Sequence, residues 1–573
     1  MNTQTNVNAQ LKTCYAALQS GDIAGAEQQY IQMCNGHTNL GDAHHLGALI
    51  AEKAGRGDIA VQRINLALGE HAAHHEYLNT KGNILKRMQG ELGVRQAYKA
   101  SLKAKPDFLD AAVNLGNYLI EVADPVAAID VYESALEYHP DDKGLQIGRA
   151  IALKDAMRNE DALSAVEALD SGSKHAYLRG QILFQLSRHD DAVQTYIEAM
   201  KHKHLAPASL KNLLQILWMR GDWPRAETII KNVLRVADPA LFIAAARAYI
   251  LADDLPAAGR VLEQALQKFG EAGKRDPYIL SERARLKLMQ GDYANAWDDA
   301  LEALTAKPGD LKIMEDFADC ALAAGHHNNA MIAAHAALKI VPNDQYWIAI
   351  KYTAGRAMGQ NYRYYADYDK FIRPYVLTPP EGYGSLEQYN QVLKETLNEL
   401  HEFAQHPLDQ SLRSGVQTSL DLRLVDHPVL KAHFKALDKP IRAYMREIGN
   451  ADPNHPLLRR NTGDYRLSGS WSVRLNKGGF HVPHVHPEGW ISSAYYVDVP
   501  DEVADTKKKA GWIHFGKPPF DVIGMDGKPL GYEKIVQPTP GTLVLFPSYM
   551  WHGTNPLTQD ATRMTLPIDV VPV

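Results

Sequence analysis

Between residues 8 and 343, apolar side chains recur at spacings of three and four, the period of one helix face, in segments such as AAIDVYESALEYHP and AWDDALEALTAKP. Proline closes these segments because it has no N–H to donate and collides with the preceding turn. The pattern itself repeats. Gly82, Tyr98 and Pro106 are followed 34 residues later by Gly116, Tyr132 and Pro140, and Ala284, Ala296 and Pro308 return as Ala318, Ala330 and Pro342. Gly180 with Ala192, and Ala246 with Ala258, keep the internal 12-residue offset. The repeat stops after Pro342. Residues 344–376 are tyrosine-rich and partly helical in pattern, and LTPPEGYGS at 377–385 reads as a loop. Two more helices are predicted, in SLEQYNQVLKETLNELHEF with Ser385 as N-cap and in VLKAHFKALDKPIRAYMREIG. Beyond residue 465 the period changes. Short β-type runs (GSWSVRL, WISSAYYVDV, GWIHF, GTLVLF, RMTLPIDVV) alternate with turn residues, including the Asp-Gly of MDGKPLG, which predicts a sandwich or barrel.

The first part resembles the tetratricopeptide repeat, a unit of two antiparallel helices. Its small residues let the helices approach, and neighbouring units stack because one pair cannot bury its apolar stripe alone. Roughly nine units fit between residues 8 and 343, the first two degenerate. The resemblance implies a superhelix with a concave face on which a protein or peptide binds; a scaffold that only holds or dimerises the protein is the alternative. The expected fold class is α + β and multidomain. An all-α superhelix spans 8–343, a linker with helical support spans 344–464, and a β-domain spans 465–573.

Composition removes several classes. Charged residues are 22% of the chain and the net charge is -6, so no basic footprint points to nucleic acid. No apolar run reaches 18 residues, and no basic segment followed by an apolar stretch opens the chain, so no membrane and a cytoplasmic location are expected. Cys14, Cys34 and Cys320 match no disulfide or zinc framework and read as buried helix positions.

The chemistry concentrates in FHVPHVHPEGW, PSYMWHGTNP and TRMTLPIDV. Residues i and i+2 of a strand share a face, so His484 and His486 project together, and His552, after the run GTLVLF, reaches the same pocket from a neighbouring strand. Arg563 lies 11 residues after His552, with Thr565 on its face of the last strand. His481 falls on the opposite face from His484 and is expected to line the pocket or lie on the surface. Trp490 and Trp551 read as packing residues, and Lys507–Lys509 as a solvated loop.

These segments resemble the double-stranded β-helix, or jelly-roll, of 2-oxoglutarate/Fe(II) oxygenases: His-x-Asp/Glu, a distant His, then an Arg some ten residues on. HVHPEGWISSAYYVDVP resembles a prolyl-hydroxylase-type ligand segment running into a tyrosine-containing strand. The HPLDQSLRSGVQT and WHGT segments resemble a bacterial group of such oxygenases fused to tetratricopeptide repeats, over residues 361–573. The resemblance implies Fe(II) held by His484, His486 and His552, with 2-oxoglutarate and O2 at the open positions. It implies that Arg563 grips the far carboxylate through its guanidinium fork, with Thr565 or Tyr496 adding a hydroxyl and Arg474 a weaker candidate for the same pocket. The carboxylate position of the family is His486 here. Three readings stay open: a three-histidine triad, a two-histidine centre as in aspartyl/asparaginyl β-hydroxylases, or replacement by Glu488 or another acid. Zinc or nickel is an alternative metal. The expected function is a dioxygenase hydroxylating a protein or peptide recruited by the repeats. The alternatives are a repeat scaffold with a degenerate metal-binding β-domain, and a small-molecule oxygenase whose repeats only mediate assembly.

Overall fold

The computed structural model describes residues 3–35, 40–88, 93–169 and 175–573. The chain packs as two compact units, Met1–Ser171 and Gly172–Val573. The first unit is five helix pairs, from Thr3–Ser20 with Ile23–Cys34 to Lys143–Asp155 with Asn159–Leu169. The second contains five further pairs, from Ala176–Gln185 with His189–Ala199 to Leu311–Ala323 with His327–Ile340, then a single helix, Gln345–Ala357. Ten described pairs thus stand against the roughly nine units expected.

The repeating residues have direct structural causes. The helices that precede Pro106, Pro140, Pro308 and Pro342 end at Ala104, Tyr138, Ala306 and Ile340. The residue between, such as Lys105 at φ -144, ψ 95, has left the helical region, because a proline ring crowds a helical predecessor. The glycine on the first helix lies under the tyrosine ring of the second. A Cβ on Gly180 would sit 2.8 Å from the Tyr196 ring, and those on Gly82 and Gly116 would press still harder on Tyr98 and Tyr132. Tyr132 is closed on its other side by Gly148, where a Cβ would lie 2.5 Å away. Gly116→Ala is therefore expected to cost about 1–3 kcal/mol, as overpacked cores do. A chemical-denaturation midpoint lowered relative to wild type checks this.

In the second unit the β-domain follows from eleven strands among the described residues: β1 Arg373–Val376, β2 Leu412–Gln417, β3 Tyr465–Ser470, β4 Val473–His481, β5 Ile491–Asp498, β6 Ile513–Phe515, β7 Lys534–Val536, β8 Thr542–Pro547, β9 His552–Thr554, β10 Arg563–Thr565 and β11 Ile568–Pro572. Eight form an antiparallel sheet in the order β1-β8-β5-β10-β4-β2, with β11 joining β5 to β3, and β7-β6-β9 make a smaller sheet. Phe515 of the small sheet packs on Phe546 of the large one at 5.0 Å between rings, so the two sheets share a core. This is the jelly-roll arrangement expected.

The segments treated as linker contribute more than support. β1 and β2 lie at the two ends of the β1-β8-β5-β10-β4-β2 run of the large sheet. Neither stands out in sequence: RPYV carries a proline and LRSGVQ a mid-strand glycine, both unfavourable in a strand interior. Helices Leu386–Glu399, capped by Ser385 Oγ on the Gln388 N–H, and Pro428–Glu447 form as predicted. The packing does not divide at residue 343. The N–H groups of Ala404 and Gln405 both donate to the Met219 carbonyl at 3.1 Å. Phe403 stacks on Phe184 at 5.8 Å. At the other end Arg356 bonds the Gly516 carbonyl at 2.6 Å and pairs with Glu533. The last five helix pairs and the β-domain are one unit because these contacts join them at two separated places.

Candidate metal centre

Strand β4 ends at His481, and Pro483 and Pro487 keep the next residues out of the ladder, so His484 and His486 sit in an extended loop rather than on a strand. A two-residue β-bridge still fixes them. The His484 N–H donates to the His552 carbonyl (2.9 Å) and the His552 N–H returns to the His484 carbonyl (3.0 Å), while the His486 N–H bonds the Ser548 carbonyl (3.1 Å). His552 opens β9 on the small sheet. Ring centroids of His484 and His552 are 4.2 Å apart, those of His486 and His552 5.2 Å, and those of His484 and His486 5.3 Å. One ligand atom from each lies within 4.8 Å of the others, a group able to hold a metal ion.

The hydrogen bonds fix the tautomers. Nδ1 of His484 faces the Val482 carbonyl at 2.9 Å, Nδ1 of His552 the Met550 carbonyl at 2.9 Å, and Nδ1 of His486 the Asp569 carboxylate at 2.7 and 2.8 Å. Carbonyl and carboxylate oxygens only accept, so each Nδ1 carries the proton and each Nε2 keeps its lone pair for a metal. Burial, reinforced by the neighbouring imidazoles, pushes the His484 pKa down to about 3 and that of His552 well below the ordinary histidine value. These two rings are neutral at pH 7, the state a metal requires.

The helical array reaches this centre directly. The Gln345 N–H donates to the Pro487 carbonyl beside His486 (2.9 Å). Next to His552, the Trp551 N–H donates to the Tyr352 hydroxyl and its indole N–H to Thr353 Oγ1 (2.9 Å). Trp551 is thus buried in packing, as is Trp490, whose indole bonds the Leu457 carbonyl.

Strand register decides which residues share a face with Arg563. In antiparallel pairs, opposed residues share a face. Arg563 opposes Leu475, and Thr565 opposes both Val473 and Tyr496, so these five share a face. The Arg563 guanidinium lies 5.6 Å from the Tyr496 ring centre. Arg563 is only 2% exposed, and its guanidinium donates to the Gly511 carbonyl at 2.5 Å. Gly511 adopts φ +69, and a side chain there would strike Leu557 and Val503, so only glycine lets this carbonyl approach. Arg563 Nε and the Tyr496 hydroxyl are both buried without a hydrogen-bond partner. Burial lowers the Arg563 pKa below its ordinary value, and no carboxylate offsets it.

Arg474 is not brought to the site. It opposes Met564, one residue out of phase with Arg563, so it points to the other face of the sheet, where it bonds Asn398 on helix Leu386–Glu399 at 2.8 Å. Glu488 is exposed in the turn after His486, outside the histidine group. His481, expected across the strand from His484 and either lining the pocket or on the surface, stacks 5.7 Å from the His484 ring, with Nδ1 on Ser411 Oγ at 3.0 Å. Lys507 and Lys508 are exposed and Cys14 and Cys320 buried, while Cys34 is half-buried. Sequence reasoning missed Asp569. Its signal is a lone acid in the otherwise apolar run PIDVV, six residues after Arg563.

Fold and site define a protein of helix pairs whose antiparallel β-domain gathers three imidazoles and also holds a buried arginine with no carboxylate partner among the described residues. Residues 469–569 match the family described as "Putative 2OG-Fe(II) oxygenase". No curated protein matches the chain. Similar solved structures include a tetratricopeptide repeat protein from Parabacteroides merdae (14% identity, 55% of this chain and 99% of that one, TM-score 0.31) and pilF of Pseudomonas aeruginosa (15%, 35% and 92%, 0.30). MamA of Desulfovibrio magneticus is a third (16%, 29% and 97%, 0.27). The match to that family covers the β-rich end of the chain, behind the helix pairs. Among the described residues no helix is long and apolar enough to cross a membrane.

Proposed function

We propose that the β-domain is a 2-oxoglutarate- and Fe(II)-dependent oxygenase that hydroxylates a protein or peptide side chain presented by the helix pairs of its own unit. The observation that carries this reading is the pairing of three converging Nε2 lone pairs with a buried guanidinium that lacks an anionic partner. The donor set fits the groups the family implies. Imidazole is a competent ligand for Fe(II), and three on one side leave positions open for a chelating acid and a gas. Bound Fe(II) supplies the one-electron steps toward O2, while 2-oxoglutarate gives up two electrons and leaves as succinate and CO2.

The chain's own groups do the rest. The orphaned Arg563 Nε and Tyr496 hydroxyl are donors waiting for an acceptor, and a distal carboxylate satisfies both at once. Thr565, opposed to Tyr496, borders the same face. Leu412, Val473, Leu475 and Trp512 pack together on this side and exclude water, which strengthens the charge pairing. The protein-substrate reading draws support from the array, whose last helix holds the loops of both His486 and His552.

Purified full-length protein should release succinate from 2-oxoglutarate only with both Fe(II) and O2 present. A gain of 16 mass units on a peptide should accompany accelerated turnover. Metal-loaded protein that shows neither succinate release nor 2-oxoglutarate binding would remove the oxygenase reading.

A further inference from the structure

The missing first-sphere carboxylate has a counterpart one bond further out. We infer that Asp569 is a positioning residue that fixes His486 as the third metal ligand and supplies, through that ring, the negative charge which the family's carboxylate places on the metal directly. This rests on the reading that His484, His486 and His552 hold a divalent metal.

The geometry is specific. Both carboxylate oxygens of Asp569 lie at 2.7 and 2.8 Å from His486 Nδ1, and the group that could hold a metal contains the three histidines without Asp569. The carboxylate is itself held. Ser492 Oγ donates to Asp569 Oδ1 at 2.7 Å, and Ser492 is bonded in turn to Ser548 Oγ at 2.9 Å. Ser548 also accepts the His486 N–H on its carbonyl, so ring and backbone of His486 are both tied to one network. The fold aims Asp569 here deliberately. It opposes Ser492 across β5, while Ile568 and Val570 on either side enter the core, so strand alternation turns Asp569 the other way.

Charge gives the reason. Three neutral imidazoles leave a divalent ion with its full double charge, where a two-histidine, one-carboxylate set would leave a single one. A carboxylate that accepts the Nδ1 proton makes Nε2 more basic and returns one negative charge to the immediate surroundings. It also locks the tautomer, as the Val482 and Met550 carbonyls do for the other two rings.

The test uses Co(II) as a spectroscopic probe on the full chain. Asp569→Asn keeps the size and an acceptor but removes the charge, and its dissociation constant should rise about 10–100-fold, the usual cost of losing an outer-sphere partner. In a His486→Ala background the same change should have no further effect, because it acts through that ring. Asp569→Glu should restore part of the affinity. If Asp569→Asn does not fold, Ser492→Ala, which frees the carboxylate, carries the test with a smaller loss in the same direction. An Asp569→Asn protein with wild-type circular dichroism and unchanged Co(II) affinity, or an equal loss in the His486→Ala background, overturns the inference. Wild-type protein that binds no Co(II) at all overturns instead the metal-centre reading beneath it.

Discussion

His552→Ala is expected to lose metal binding by well over 100-fold, beyond the roughly 10–100-fold typical of outer-sphere changes, and with it all metal-dependent succinate release. His552 is the joint of the site. Its ring is the closest to another ligand ring, at 4.2 Å from His484, and its backbone makes both hydrogen bonds of the bridge to His484. The substitution leaves those backbone bonds in place, so the fold should survive while the donor disappears. Its ring also packs on Phe546 at 4.6 Å, so a modest packing loss accompanies it. Isothermal titration with Fe(II) or Co(II) under anaerobic conditions, beside circular dichroism, separates the two effects. Metal affinity within a few-fold of wild type in a folded His552→Ala protein would mean that the three imidazoles do not share an ion.

Arg563→Met should raise the 2-oxoglutarate concentration needed for half-maximal turnover by about 30-fold or more, since losing one partner of a buried ion pair costs about 2–5 kcal/mol. Metal affinity should move little, because Arg563 is not in the ligand group. The same substitution should leave the cosubstrate-free protein as stable as wild type or more so. Among the described residues Arg563 is buried with Nε unsatisfied, meets the Gly511 carbonyl and the Tyr496 ring, and has no carboxylate partner, so the free protein carries an uncompensated cation. A structural arginine would behave in the opposite way, with a lower melting temperature and no change in cosubstrate requirement. Thermal shifts with and without 2-oxoglutarate therefore decide the role: the ligand should stabilise wild type and fail to stabilise Arg563→Met.

Much of this was legible in the chain because it depends on local periodicity. The 34-residue return of Gly, Tyr and Pro predicts the helix pairs, since each of these residues acts within its own pair: the glycine under a tyrosine ring, the proline two residues past a helix end. The histidines and Arg563 were legible as types at spacings within a β-rich segment. β1 and β2 were not, because short strands with proline or glycine acquire their conformation from the neighbour they pair with.

Arg474 and Asp569 mark the limit most clearly. Both are charged residues on strands near the site, and nothing in the local sequence says which faces the histidines. Register decided it. Arg474 opposes Met564 and looks away, while Asp569 opposes Ser492 and turns its carboxylate onto His486. The same holds for the division of the chain, which falls at residue 171, while contacts 160 or more residues apart in sequence bind the helix Gln345–Ala357 to the β-domain. The sequence alone determined which elements form and which reactive groups they carry, because both follow from neighbours a few residues apart. Only the tertiary structure decided which groups meet, because facing and pairing are settled between strands and helices distant along the chain.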